Sequence, residues 1–288
     1  MPTLQIGEVK PKQIYYGSDK IKEAWLGDTK LWSSSVPTLV TVGRKGKVYY
    51  SLDMTTWINA TVLSSLVNNG GRVTITNDGN KFVILTIYSG IIYSFYSEDG
   101  INWTSVTQTG MIGEPTSIEY KQGIFVASST YGLYYSYDGV NWLRTITNHI
   151  NRVKFLNGRF LAVGASGKSY YSFDGINWTV MTISNAIPSD IATATYLDVA
   201  YGNNSYIMTS PIDNSTTNNT LVSYDGLTWS KVIYPYNSIY SFTCGKSMFV
   251  GAMYGDALSA KGFIPASLKS AFRYSLPRTN ILLSAIFC

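Results

Sequence analysis

Ser136-Tyr137-Asp138-Gly139-Val140-Asn141-Trp142 decides the fold, because the chain returns to this phrase. It recurs as Ser172-Phe173-Asp174-Gly175-Ile176-Asn177-Trp178, as Ser97-Glu98-Asp99-Gly100-Ile101-Asn102-Trp103 and as Ser223-Tyr224-Asp225-Gly226-Leu227-Thr228-Trp229. A worn copy, Ser51-Leu52-Asp53-Met54-Thr55-Thr56-Trp57, has lost its glycine. Each copy follows an aromatic or β-branched run such as Leu133-Tyr134-Tyr135, so each sits where a strand ends. Asp-Gly there signals a hairpin turn, since glycine accepts the left-handed backbone that the turn requires. The Ser and Asp side chains can bond nearby amides and lock it, and the tryptophan then opens the returning strand with a large ring to pack. Asp53, Asp99, Asp138, Asp174 and Asp225 therefore read as structural turn locks, with Trp57, Trp103, Trp142, Trp178 and Trp229 as their packing anchors.

Working outward, these aspartates lie 46, 39, 36 and 51 residues apart, lengths that bracket a four-stranded unit. One full unit runs Arg152–Leu156, Arg159–Gly164, Ser169–Ser172, the repeated turn, then Trp178–Met181. These segments read as strands A to D, with tight turns at Asn157-Gly158, Gly164–Lys168 and Asp174-Gly175. A and B strands recur at Val73–Thr76 with Phe82–Leu85, Ser117–Tyr120 with Ile124–Ala127, Leu197–Tyr201 with Tyr206–Thr209, and Ser238–Thr243 with Met248–Ala252. The first unit starts directly at a B strand, Leu39–Val42, which gives six B strands but five A strands. The repeated phrase resembles the Asp-box of β-propellers, S-x-D-x-G-x-x-W (a BNR-type repeat), found in sialidases and in many non-enzymatic propellers. The resemblance implies an all-β fold with a single propeller. An open ring would leave an unpaired sheet edge. Six blades closed by the C-terminal strand Asn280–Phe287 is the favoured count, with five and seven left open; Ala271–Ser275 is the other candidate, as strand C of the last unit.

Residues 1–35 differ from the ring that residues 36–288 are expected to form. Ile14-Tyr15-Tyr16-Gly17-Ser18-Asp19-Lys20-Ile21 is echoed ten residues later by Ala24-Trp25-Leu26-Gly27-Asp28-Thr29-Lys30-Leu31. Each half reads as a small β-hairpin with a Gly/Asp turn, too little chain to bury its own apolar residues. The wording resembles the short N-terminal module of many bacteriophage virion proteins, in which I-Y-x-G-x-x-x-I and Y-x-G-x-x-x-V/I-W patterns precede a fibre or adhesin domain. The resemblance implies docking onto other virion proteins, with Tyr16, Ile21, Trp25, Leu26 and Trp32 as the docking residues, and a homo-oligomer such as a trimer. Ser33-Ser34-Ser35 reads as a linker.

Composition excludes several classes. The net charge of +5 is a mild excess: five lysines (Lys10, Lys12, Lys20, Lys22 and Lys30) fall in the first thirty residues beside four acidic ones, and no clustered basic stripe of a nucleic-acid binder is visible in the sequence. Cys244 and Cys288 are the only cysteines, which is no disulfide framework. No secretory pattern opens the chain, and its longest apolar run, Ile281–Phe287, is too short to span a bilayer, so no membrane insertion is expected.

Chemistry is scarce. One histidine, His149, reads as a surface-loop residue, and with two cysteines it leaves no N/S metal site and no cofactor to expect. Gly164-Ala165-Ser166-Gly167-Lys168 precedes a strand rather than a helix, so it is no phosphate loop. Sialidases hold their substrate with three arginines, the first in an Arg-Ile/Leu-Pro motif; here Arg44 lies in Gly43-Arg44-Lys45-Gly46, which does not match. Glycoside hydrolysis generally needs a facing carboxylate pair, and no spacing singles one out among Glu114, Glu119, Asp190, Asp198, Asp213 and Asp256. No enzyme is expected, and no catalytic residue is assigned.

What remains is a stiff ring with aromatic loops. Tyr131 and Tyr254 sit in B–C turns, Tyr234 and Tyr236 flank Pro235, and residues 209–220 form a polar insertion containing Asn214 and Asn218. Tyr and Asn on loops combine a flat apolar face with hydrogen bonding, which suits a glycan or protein ligand. The expectation is a virion-located, non-enzymatic structural protein (tail fibre, receptor-binding or surface decoration) that binds a host-surface glycan or protein. The alternatives are a sialidase-like glycan-cleaving propeller, and a cellular assembly factor, since photosystem assembly proteins carry similar Asp-box rings; the docking module argues against the latter.

Overall fold

The computed structural model describes residues 14–16, 19–21, 23–26, 29–33, 39–43, 47–53, 55–60, 72–108, 110–183, 194–202, 204–210, 219–232, 239–244, 249–253 and 261–263. Among them every helix or strand element is a strand. The two N-terminal echoes form the two hairpins that their sequence spells. β1 (Ile14–Tyr16) pairs with β2 (Asp19–Ile21), setting Ile14 opposite Ile21 and Tyr16 opposite Asp19. β3 (Glu23–Leu26) pairs with β4 (Thr29–Ser33), with Ala24 opposite Trp32 and a register shift between Ala24 and Trp25.

Six sheets then follow in sequence. The first is β5 (Leu39–Val42), β6 (Val48–Ser51) and β7 (Ile58–Ala60), which begins at a B strand as the repeat predicts. The second holds β8 (Val73–Asn77), β9 (Phe82–Tyr88), β10 (Ile91–Ser97) and β11 (Thr104–Thr107). The third holds β12 (Pro115–Lys121), β13 (Ile124–Ser129), β14 (Gly132–Ser136) and β15 (Leu143–Ile146). The fourth is β16 (Ile150–Leu156), β17 (Arg159–Gly164), β18 (Ser169–Ser172) and β19 (Thr179–Val180). In the fifth, β20 (Thr182–Ile183) precedes β21 (Asp198–Gly202), β22 (Ser205–Ser210), β23 (Asn219–Ser223) and β24 (Thr228–Val232). The last described sheet is β25 (Ile239–Cys244), β26 (Phe249–Met253) and β27 (Lys261–Phe263).

Two features depart from the sequence reading. Strand C of the last sheet is Lys261–Phe263, paired with β26 by Phe249 opposite Phe263, rather than the later segment at Ala271. Residues 271–275 and the closing segment 280–287 lie outside the described residues. And β20 leaves the fourth sheet to pair in parallel with β24, Thr182 opposite Thr228, so it covers the outer edge of the next sheet. A two-residue strand carries too little pattern to be read in advance.

The first strands meet one another: β12 packs on both β8 and β16, β16 on β21, and β21 on β25. They form the hub, and the apolar core fills the spaces between neighbouring sheets. One cluster joins Val83, Leu85 and Ile92 to Ile118, Phe125, Tyr134 and Trp142; another joins Leu161 and Val163 to Tyr196, Tyr206, Leu221 and Trp229. Sheets packed face to face on alternating strand residues account for the near-continuous apolar runs of the B strands. The Asn157-Gly158 turn has φ of 48° and 82°, the left-handed pair that a two-residue hairpin requires.

Candidate functional site

The repeated turns do what their residues predict. In the fourth sheet Asp174 Oδ1 accepts from Ser172 Oγ (2.9 Å) and from the amides of Ile176 (2.9 Å) and Asn177 (2.8 Å), while Asn177 Nδ2 donates to Oδ2 (2.7 Å). Asp138 and Asp99 repeat this set, and Asp225, with Thr228 in place of the asparagine, keeps the hydroxyl and two amide bonds. Burial pushes these carboxyls upward, but the amide and side-chain donors together hold Asp138 and Asp174 well below the usual carboxylate range and bring Asp225 to about 2. Asp53 still locks its worn turn, its carboxyl lowered first by the Thr56 amide. The tryptophans are less uniform. Trp103, Trp142 and Trp229 are buried and Trp178 is half-buried, but Trp57 is 40% exposed, so in the first sheet the packing role is not kept. These carboxylates are committed to their own turns.

The A–B turns share a face with the repeated turns. Lys81 Nζ donates to the Asp138 carbonyl of the next sheet at 2.9 Å, and Arg159 Nη1 to the Asp225 carbonyl at 3.1 Å. The B–C turns and the D–A connections therefore share the opposite face, and Tyr131 stands there. It is 57% exposed. Its ring lies against the backbone of Gly113, where an added Cβ would come within 2.3 Å of Tyr131 Cδ2. The Thr130 amide donates to the Glu114 carbonyl (3.1 Å) and Thr130 Oγ1 accepts from the Glu114 amide (3.0 Å), which fixes the turn to the connection beside it. Arg144 donates to the Tyr131 carbonyl. Ile112, also exposed, and the Arg72–Glu114 pair (3.9 Å) complete the patch. One ring face is seated on backbone and the other is presented to solvent, so little rotamer freedom remains to be lost on binding. Of the residues singled out from the sequence, Tyr131 is placed here; Asn214, Asn218, Tyr234, Tyr236 and Tyr254 lie outside the described residues.

The hub holds what the sequence did not reveal. Lys154 Nζ and Arg152 Nε reach Asp198 Oδ1 at 2.7 and 3.5 Å, and the Asp198 side chain is 0% exposed. On the other side Glu119, half-buried, is pushed up to about 7 by burial, against the opposing charge of Lys154 and the amide of Phe155. Lys154 thus pairs with Asp198 on one neighbouring first strand and acts by its charge on Glu119 of the other. The free inner edges of these strands are also capped by side chains: Thr116 Oγ1 donates to the Ile150 carbonyl (2.7 Å), Ser117 Oγ to the Val153 carbonyl (3.0 Å), and Asn151 Nδ2 to the Tyr196 carbonyl (2.8 Å). Unpaired edge groups in a buried hub would otherwise be costly. Glu119 and Asp198 stand 79 positions apart in the chain, so only the convergence of the strands brings them to one lysine. His149 is also more engaged than a surface-loop residue: its carbonyl accepts from the Ala165 amide at 3.0 Å, and its Nε2 is buried without a hydrogen-bond partner among the described residues.

No protein-family model matches the sequence, and no curated protein matches it. Solved structures do resemble the chain. A catalytically inactive variant of virginiamycin B lyase from Staphylococcus aureus, determined with quinupristin, aligns at 12% identity over 83% of this chain and 84% of its own, with a TM-score of 0.61. YCF48 from Cyanidioschyzon merolae aligns at 14% identity over 82% and 80%, TM-score 0.56. The WD40 β-propeller domain of Doa1 aligns at 16% identity over 83% and 78%, TM-score 0.53. The fold is a β-propeller. At these identities the likeness speaks to the fold alone, and propellers carry both enzymes and binding modules.

Proposed function

We propose that this propeller is a non-enzymatic bacteriophage virion protein, a tail-fibre, receptor-binding or surface-decoration component, whose ring binds a host-surface glycan or protein. The observation that carries the binding reading is Tyr131, a braced and solvent-facing ring on the face of the B–C turns. The N-terminal wording supports the virion reading, because two short hairpins in tandem suit docking to other virion proteins or to sister copies in an oligomer. The Asp-box resemblance agrees, since its carboxylates are spent on turns. Labelled protein should bind the surface of host cells and compete with phage adsorption, and Tyr131→Ala should weaken that binding about tenfold. Host cells that take up no protein would refute it.

The enzymatic alternative, a glycan cleaver, has one observation in its favour: Glu119 titrates near neutrality, as a general acid does. Its companion around Lys154 is unsuited to the second role. Asp198 is sealed from solvent and neutralised by two cations, so the two carboxyls do not face a sugar as acid and base. Release of reducing ends from host polysaccharide, abolished by Glu119→Gln, would favour the enzyme.

A further inference from the structure

Arg159 occupies a seat between two neighbouring repeated turns. Its guanidinium lies over the ring of Phe173, in the turn of its own sheet, at 5.4 Å, and donates to the Asp225 carbonyl in the turn of the next. Lys81 stands at the same position of the second sheet, the first residue after the A–B turn, and reaches the Asp138 carbonyl of the third. In the third sheet that position is Ile124. It is buried and apolar, and its Cγ2 lies 3.4 Å from where a Cβ on Gly175 would be. The other two parts of the seat are still there. Tyr137 replaces Phe173 and takes the same pose: it meets Tyr135 edge-on at 5.9 Å and 82°, as Phe173 meets Tyr171 at 5.9 Å and 83°. Tyr137 is 69% exposed, and no donor among the described residues reaches the Asp174 carbonyl.

A cation thus stands at this position twice, Arg159 over the turn ring of its own sheet and Lys81 over Phe125 of the next sheet at 5.7 Å (Glu98 replaces the turn ring there), and an apolar residue stands there once. We propose that the junction of the third and fourth sheets, formed by the Tyr137 ring, the Asp174 carbonyl and the Ile124 floor, takes the guanidinium of an arginine on a partner protein. A planar guanidinium can stack on a ring and donate to a carbonyl at once, as Arg159 does; an ammonium is a point donor. Charge favours the same guest. Asp138 and Asp174 flank the seat as carboxylates, and neither has an ion-pair partner among the described residues. The seat lies on the face opposite Tyr131 and does not depend on the host-binding reading.

The test titrates the full-length chain with N-acetylarginine amide, followed by saturation-transfer NMR, against the uncharged, near-isosteric N-acetylcitrulline amide. The arginine probe should bind about tenfold more tightly than the citrulline probe, and Tyr137→Ala, an exposed change, should remove that advantage. Ile124→Arg should fill the seat in cis and block the probe; should that buried change fail to fold, Tyr137→Ala decides alone. Equal binding of both probes, no binding of either, or an arginine preference that survives Tyr137→Ala overturns the proposal. So does self-association of the chain that Tyr137→Ala abolishes, which would make the occupant a second copy.

Discussion

Lys154 Nζ lies 2.7 Å from the fully buried Asp198 Oδ1, and its charge also opposes the upward shift that burial gives the Glu119 carboxyl on the neighbouring strand. A single ammonium therefore joins the first strands of the fourth and fifth sheets by an ion pair and acts on the third through its charge. Buried charge of this kind is costly to create and costlier to break, because removing one member strands the others.

Asp198→Ala should accordingly destabilise the ring by about 3–5 kcal/mol, read as a shift in the urea midpoint, since it leaves Lys154 and Arg152 facing a buried void. Removing charge on both sides, as in Asp198→Leu with Lys154→Met, should cost much less. If the single and double changes cost the same, the ion pair is not what holds these strands.

Glu119 gives the hub a pH dependence whose sign follows from its raised pKa. The folded state holds the proton more tightly than the unfolded chain does, so this group contributes stability fully below about 4.5 and loses it as pH rises through about 7. Glu119→Gln should remove the dependence and stabilise the ring by about 1–3 kcal/mol at pH 8 relative to pH 4. Parallel stability curves for the two proteins between those values would contradict the assignment.

The repeated turns behave in the opposite sense. Their carboxyls are lowered on folding, so the stability they bring is present above the ordinary aspartate range and is lost as pH falls below about 4. At neutral pH Asp174→Ala should cost about 1–3 kcal/mol through its lost amide and hydroxyl bonds, measured by thermal unfolding. Binding at the Tyr131 face should not change. A folded Asp174→Ala that no longer binds host cells would make the turn a functional surface.

Removing residues 1–35 should leave a soluble propeller with unaltered melting that no longer enters virus particles, and fusing them to an unrelated protein should carry it onto the virion. The hairpins offer strand edges, and a two-stranded hairpin is marginal by itself. Normal incorporation of the truncated ring would place the address elsewhere.

The local rules were written in the chain. Asn157-Gly158, the Ser-x-Asp-Gly turns and the two N-terminal hairpins depend on backbone preference and on bonds spanning two or three residues, so their sequence specifies them wherever they occur. The unit length, and the start of the first sheet at a B strand among the described residues, followed from those turns by counting. Contacts between units were not legible, because the sequence carries no register from one sheet to the next. Strand C of the last sheet fell at Lys261 because pairing with Phe249 decided it, and β20 joined a neighbour's edge that exists only once the fifth sheet is formed. Trp57 shows the same limit from the other side: the tryptophan position of the worn motif is kept, yet it stays 40% exposed. Glu119, Lys154 and Asp198 are three unremarkable charges on a line of sequence. Tertiary packing alone sets three first strands side by side, withdraws water from the space between them, and turns those charges into one site.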